Sequence, residues 1–171
     1  MPNVDLYPLD GIKFPDDTIQ HTAAVGGYVP LPQVVFRARM SANVTTTRIT
    51  PILYNTLVSS LGGGFNTTTG KFAAPIDGYY LLQASAYFDS SGYNDNVFFP
   101  QMQIVTSSET FSGGQRAPFQ QQTACPQVMC IAKLLVGEEA YAQFSALGGH
   151  PYNLLGAAGV TFFTGILLSE L

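Results

Sequence analysis

The sequence predicts an all-β domain, built as a sandwich, jelly roll or barrel and preceded by an extended N-terminal arm. Apolar residues recur at every second position in one stretch after another from Gln33 onward. Clusters of Gly, Pro, Asn and Ser separate those stretches, and no run of helical period exceeds two turns. A length of 171 residues suits one domain with an arm, and such a chain buries roughly 70% of the surface it exposes when unfolded.

Residues 1–32 form the arm and 33–171 the domain. Pro2, Pro8, Pro15, Pro30 and Pro32 punctuate the arm, where Asp5, Asp10, Asp16 and Asp17 accompany a single base, Lys13. No strand or helix period survives there, so the arm is expected to run extended. The rest of the chain carries six bases and seven acids, which leaves −3 of the net −4 to the arm. Val4, Leu6, Tyr7, Leu9, Ile12 and Phe14 make it too apolar for a solvated tail. The expectation is an anchor, with Leu6, Tyr7, Leu9, Ile12 and Phe14 laid along a partner's groove and Asp16 and Asp17 meeting its bases.

The strands of the domain follow in order. Val34, Phe36, Ala38 and Met40 face one side and Val35, Arg37 and Arg39 the other, a half-buried strand. A second strand over 48–54 is limited to an edge or a bulge by Pro51. Residues 61–70 read as a turn-rich loop, 71–74 as a short strand and 75–78 as a turn. A long strand over 79–88 sets Tyr80, Leu82, Ala84, Ala86 and Phe88 on one face. Then come a polar loop over 89–96, a strand over 97–105 containing Pro100, and a Ser/Gly/Gln loop over 106–123. Strands over 128–136, 140–147 and 159–168 complete the domain.

Two of these strands are apolar on both faces: Val128 to Ala132, and Val160 through Phe162 and Phe163 to Leu168. An antiparallel sandwich normally leaves one face wet, so a second apolar face is covered by something. Only 11% of the residues are charged, against about 25% in ordinary soluble domains, so the cover expected is another copy of the chain. Tyr80, Tyr141, Phe144, Phe162 and Phe163 are the aromatics expected at that seam.

Several functions are excluded. The net charge of −4 lacks the basic footprint that nucleic acid requires. No window approaches the twenty apolar residues of a membrane span, and the start at Met1 has neither a basic nor an apolar leader region, so the chain is expected to work without a signal peptide. Catalysis lacks its parts: His21 lies in the arm, His150 in a turn, and Glu138 and Glu139 are splayed by alternation. Gly62, Gly63 and Gly64 precede a β turn instead of the helix that a phosphate loop needs. No enzyme and no cofactor are expected.

Cys125 and Cys130 are five apart; on one strand they point to opposite faces, about 16 Å apart, beyond disulfide reach. A tight turn at Pro126 would bring them together, but small buried hydrophobes are the favoured reading. The oxygen-rich loop from Asp89 to Asn96 could hold calcium but has no closing bidentate Glu, so a polar turn is favoured and no metal is assigned. Asn43-Val44-Thr45 and Asn66-Thr67-Thr68 fit a glycosylation acceptor pattern, read as incidental.

A family emerges from the motifs in their order. Val35-Phe36-Arg37-Ala38 is similar to a first-strand Ala-Phe-Ser-Ala, and Ile52-Leu53-Tyr54-Asn55 follows it. Gly64-Phe65-Asn66-Thr67-Thr68-Thr69-Gly70-Lys71-Phe72-Ala73-Ala74-Pro75-Ile76-Asp77-Gly78-Tyr79-Tyr80 matches the most specific block, Gly-x-Tyr-Asp-x-x-Thr-Gly-x-Phe-x-x-Pro-x-x-Gly-x-Tyr. Leu134-Leu135-Val136-Gly137-Glu138 and Phe163-Thr164-Gly165-Ile166-Leu167-Leu168 resemble its later strands. Over about residues 34–170 the chain resembles the globular head of complement component 1q, in the tumour necrosis factor-like jelly-roll superfamily, without a preceding collagen-like repeat. The resemblance implies a jelly-roll fold and a homotrimer. Read from the residues alone, Asn66 and Gly70 bracket a turn, Phe72 returns to the core and Gly78 lets the chain turn tightly into the next strand.

Two functions are carried forward. One is a trimeric structural protein of a virus or phage particle, a capsid decoration, cement or fibre-head protein at the virion surface, anchored to a capsid or other particle protein by its arm. The other is a soluble, extracellular recognition module of the complement type, lectin-like or immune.

Overall fold

The structure, a computed structural model, describes residues 33–46, 51–89, 99–114, 123–147, 152–156 and 159–171, with the backbone of three short strands near the N-terminus. The chain divides into two compact units, Met1–Leu31 and Pro32–Leu171. Among the described residues there is no helix.

The first unit departs from the expected extended arm. Its strands β1 (Leu6–Tyr7), β2 (Gly11–Lys13) and β3 (Ile19–Gln20) form a small antiparallel sheet, with Leu6 opposite Ile12 and Lys13 opposite Ile19.

The second unit holds β4 (Val35–Arg39), β5 (Val44–Thr46), β6 (Thr56–Leu61), β7 (Phe65–Asn66), β8 (Lys71–Ala73), β9 (Gly78–Ser85), β10 (Phe88–Asp89), β11 (Phe99–Thr106), β12 (Thr110–Gly114), β13 (Thr123–Ala124), β14 (Gln127–Leu134), β15 (Glu139–Leu147), β16 (Tyr152–Leu154) and β17 (Phe162–Glu170). Two five-stranded antiparallel sheets result: the first sheet in the order β14-β9-β17-β4-β6 and the second in the order β12-β11-β15-β8-β7. Their apolar faces meet in one core, and a smaller sheet, β13-β10-β16-β5, completes the unit.

Period-two alternation builds that core. Val34, Phe36, Ala38 and Met40 are buried, as are Tyr80, Leu82, Ala84, Ala86 and Phe88. Phe36 lies at the centre, its ring centroid 4.6 Å from that of Phe72 and 5.1 Å from that of Phe163. Gly165 is opposite Phe36 in the sheet, and a Cβ there would stand 2.3 Å from its ring. Phe36 occupies that volume instead.

The specific turn block closes as expected. The Gly70 amide donates to the Asn66 carbonyl at 2.9 Å, and the Asn66 carboxamide oxygen accepts the Thr68 and Thr69 amides at 2.9 and 3.2 Å. Gly70 has φ +70°, a left-handed conformation that a side chain resists. Gly78 serves otherwise than expected: its φ is not left-handed, and its need is space, since a Cβ would lie 2.5 Å from the Leu167 side chain.

Two further expectations change. Residues 51–55 form no strand; Ile52 and Tyr54 are buried as a strand's would be, but Pro51 offers no donor and the ladder begins only at β6. Within the loop expected over 106–123, β12 and β13 pair with β11 and β10.

Candidate assembly surface

The outer faces of the two large sheets have different chemistry. On the first sheet, cross-strand register lines up Ile131, Leu81, Ile166, Val35 and Leu61 as one apolar row across all five strands. Met129 and Ile131 on edge strand β14 are 66% and 59% exposed. The next row reads Met129, Gln83, Thr164, Arg37 and Ser59, and beyond it Phe162 is opposite Arg39. The Arg37 guanidinium lies 5.4 Å above the Phe162 ring, a cation–π contact that holds it on this face.

The outer face of the second sheet is polar. The Gln143 carboxamide donates to that of Gln103 at 2.6 Å, and Gln103 donates to the Ser112 hydroxyl at 3.2 Å, an amide ladder over three strands. Lys71 pairs with Glu139 at 2.5 Å and sits 5.6 Å from the Tyr141 ring. Its hydrogen bond to Glu139 holds the ammonium pKa above the usual lysine range.

The residues expected at a seam between copies divide. Tyr80, Phe144 and Phe163 are fully buried within this chain's own core, so they have no surface to offer a second copy. This corrects their placement: parity along β9, β15 and β17 turns them inward with Leu82, Ala142 and Gly165. Tyr80 is also satisfied internally, its hydroxyl donating to the Ile76 carbonyl at 2.7 Å. Phe162 lies half-buried on the outer face of the first sheet and Tyr141 on that of the second. The row from Ile131 to Leu61 was missed, although the same alternation that put Leu82 inward puts Leu81 outward. Of the arm residues, Leu6 and Tyr7 lie in β1 and Ile12 in β2; Leu9, Phe14, Asp16 and Asp17 lie outside the described residues.

Potential chemistry elsewhere is absorbed by the scaffold. Glu138 accepts the Leu135 amide at 2.9 Å and the Ser107 hydroxyl at 2.7 Å, which lowers its pKa, while Glu139 faces Lys71. Asn43 accepts the Gly156 amide at 3.0 Å, so both glycosylation-pattern asparagines secure the fold. Cys125 and Cys130 are not bridged to each other; Cys125, whose thiol lies 3.4 Å from the Ser85 hydroxyl, precedes β14 instead of sharing it, and burial pushes the Cys130 thiol up to about 11. His21, His150 and residues 90–96 of the oxygen-rich loop lie outside the described residues, among which no cluster could hold a metal ion.

The second unit thus holds two facing antiparallel sheets, one with an exposed apolar row on its outer face and the other with a polar outer face. The C1q domain family model matches residues 35–168, and the chain belongs to that family. Its fold is shared with the globular domain of zebrafish complement 1qA protein at 14% identity, over 81% of this chain and 99% of that one, with a TM-score of 0.60. The Eiger tumour necrosis factor of S. frugiperda matches at 13% identity over 83% and 95% of the two chains, TM-score 0.58. Murine APRIL at pH 5.0 matches at 14% identity over 80% and 99%, TM-score 0.58. Comparison with curated proteins gives no match. At these identities the shared property is the fold, an all-β jelly roll; domains of the C1q and tumour necrosis factor types are non-enzymatic ligand-binding or structural modules.

Proposed function

We propose that the chain is a non-enzymatic, homotrimeric structural head of a virus or phage particle, a capsid decoration, cement or fibre-head protein at the virion surface, tethered by residues 1–32. The observation that carries this reading is the exposed apolar row on the first sheet. Apolar area left in water forgoes about 25 cal/mol per Å², and a second copy laid on the row recovers it. C1q and tumour necrosis factor-like proteins are typically homotrimers, which supports three as the number of copies. The acidic, apolar composition of residues 1–32 supports a tether to a more basic partner, a capsid or other particle protein.

Sedimentation of the full chain should give a trimer; a soluble monomer would end the reading. Deleting residues 2–30 should leave a folded trimer that no longer decorates its particle in micrographs. A truncated chain that still attaches would move recognition to the head. That result would favour the second reading, a soluble extracellular recognition module, which the amide and hydroxyl groups on the second sheet's outer face support and which matches the typical location of C1q domain proteins.

A further inference from the structure

We propose that copies of this chain meet head to tail, with Arg37 and Arg39 of one copy set against Glu109 of the next; the inference rests on the trimer reading above and specifies how its seam closes. Arg37 and Arg39 stand on the outer face of β4, both exposed, and no strand residue on that face of the first sheet is acidic. Among the described residues neither arginine has a carboxylate partner, the one ion pair being Lys71–Glu139. The third cation of the face, Lys133, differs: its charge lowers the pKa of Glu138 on its own chain, so it has an acidic neighbour.

A twofold contact would lay this face on itself and bring the arginines against like charge or against the apolar row. A contact between unlike surfaces avoids this, and when its rotation closes it gives a ring. The complementary surface must carry an exposed carboxylate without an internal role. Glu138 is engaged by Leu135 and Ser107, Glu139 by Lys71, and Asp77 by the Val136 amide at 2.6 Å, while Glu170 ends β17 in the same sheet as the arginines. Glu109 is exposed at the tip of the β11–β12 hairpin, where the Thr106 hydroxyl accepts its backbone amide at 3.0 Å and fixes the turn without using its carboxylate. That hairpin leads into β12, which packs beside β14, and the Glu109 charge is felt at Cys130 of β14. β12 and β14 are the first strands of their sheets, so Glu109 marks one flank of the sandwich, whereas Arg37 and Arg39 lie toward the opposite flank, next to the other edge strand, β6. Opposite charges at opposite flanks repeat consistently around a ring.

The experiment is a charge exchange in the full chain, read by sedimentation velocity over a concentration series. R39E and R37E, and separately E109R, should each raise the concentration for half-assembly by about tenfold or more with circular dichroism unchanged. Combining R39E with E109R should bring it back to within a few-fold of the original, while R39E with E170R should not. A wild-type monomer would sink the trimer reading itself. A wild-type trimer in which E109R assembles normally, in which E109R fails to restore R39E, or in which E170R restores it equally well, would keep the trimer and overturn this seam. E109Q, which cannot clash by charge, gives an independent reading: assembly should weaken, and normal assembly counts against the proposal.

Discussion

On β14 the residues that alternate with the core set are Gln127, Met129, Ile131 and Lys133, whereas on β15 they are Glu139, Tyr141 and Gln143. Both strands turn apolar residues inward, Val128, Cys130, Ala132 and Leu134 on one and Ala140, Ala142 and Phe144 on the other, so both serve the core. They differ in what they show to the outside. The second sheet satisfies its surface internally through the Gln143–Gln103–Ser112 ladder and the Lys71–Glu139 pair, and needs no partner to be at ease in water. The first sheet leaves aliphatic side chains and two arginines unengaged by carboxylates among the described residues. The contrast therefore lies not in the number of charges but in how they are paired, and the proposed assembly falls to the face whose aliphatic row is exposed.

The sharpest way to break this contrast is to place a charge on each side of the first sheet. Phe163→Asp puts a carboxylate against Phe36, Phe65 and Tyr54 with no counter-charge. It should cost about 4 kcal/mol or more, seen as loss of a cooperative melt. Gly165→Ala is next: its methyl group meets the Phe36 ring and the Leu82 side chain, and about 1–3 kcal/mol of overpacking should appear as a lowered Tm. Ile131→Asp, on the outer face, should leave the melt cooperative but abolish assembly in sedimentation. If Ile131→Asp unfolds the chain as Phe163→Asp does, the outer face belongs to the core and the distinction collapses.

A smaller effect follows from Cys130, at the margin between core and edge. Burial, with the charge of Glu109 adding to it, raises its thiol from 9.0 to about 11. Between these values the unfolded chain has lost the proton and the folded chain retains it. Stability from this group is therefore complete below pH 9.0 and declines as the pH rises toward about 11. Denaturant midpoints across that window should fall more steeply in the original than in Cys130→Val. Thiol titration should count two free thiols after denaturation, with Cys130 the slow one in the folded protein. The smallest effect is on the wet face: Lys71→Ala, which removes an exposed pair, should change stability by less than about 1 kcal/mol and leave assembly as it was.

Much of the fold could be read without coordinates because the core follows a period of two. The sets Val34 to Met40 and Tyr80 to Phe88 came straight from alternation, and the turn from Asn66 to Gly70 from residue chemistry. Where alternation fails, so did the reading. β6, Thr56–Leu61, is an exposed edge strand with a bulge opposite Arg37 and Ala38, and it displays no inward and outward sets. β12 resembles a loop in composition because Gly113 passes so close to the Gln127 carbonyl that a Cβ would stand 2.0 Å from it. The exposed aromatics were legible in part: composition singled out aromatics on doubly apolar strands, but parity, not aromaticity, decides which of them reach the surface. Phe162 does and Phe163 does not.

The order β14-β9-β17-β4-β6 places the last strand of the chain at the centre of its sheet, hydrogen-bonded to β4 on one side and β9 on the other. During synthesis, β4 and β9 therefore wait for a neighbour made after both of them, and the first sheet cannot be completed until β17 has emerged. Loss of β17 would not shorten an edge; it would divide the sheet into β4 with β6 and β9 with β14, each with a bare strand edge exposed to other chains. Emergence of β17 is thus a checkpoint built into the topology, since only a chain that includes it has a continuous five-stranded sheet.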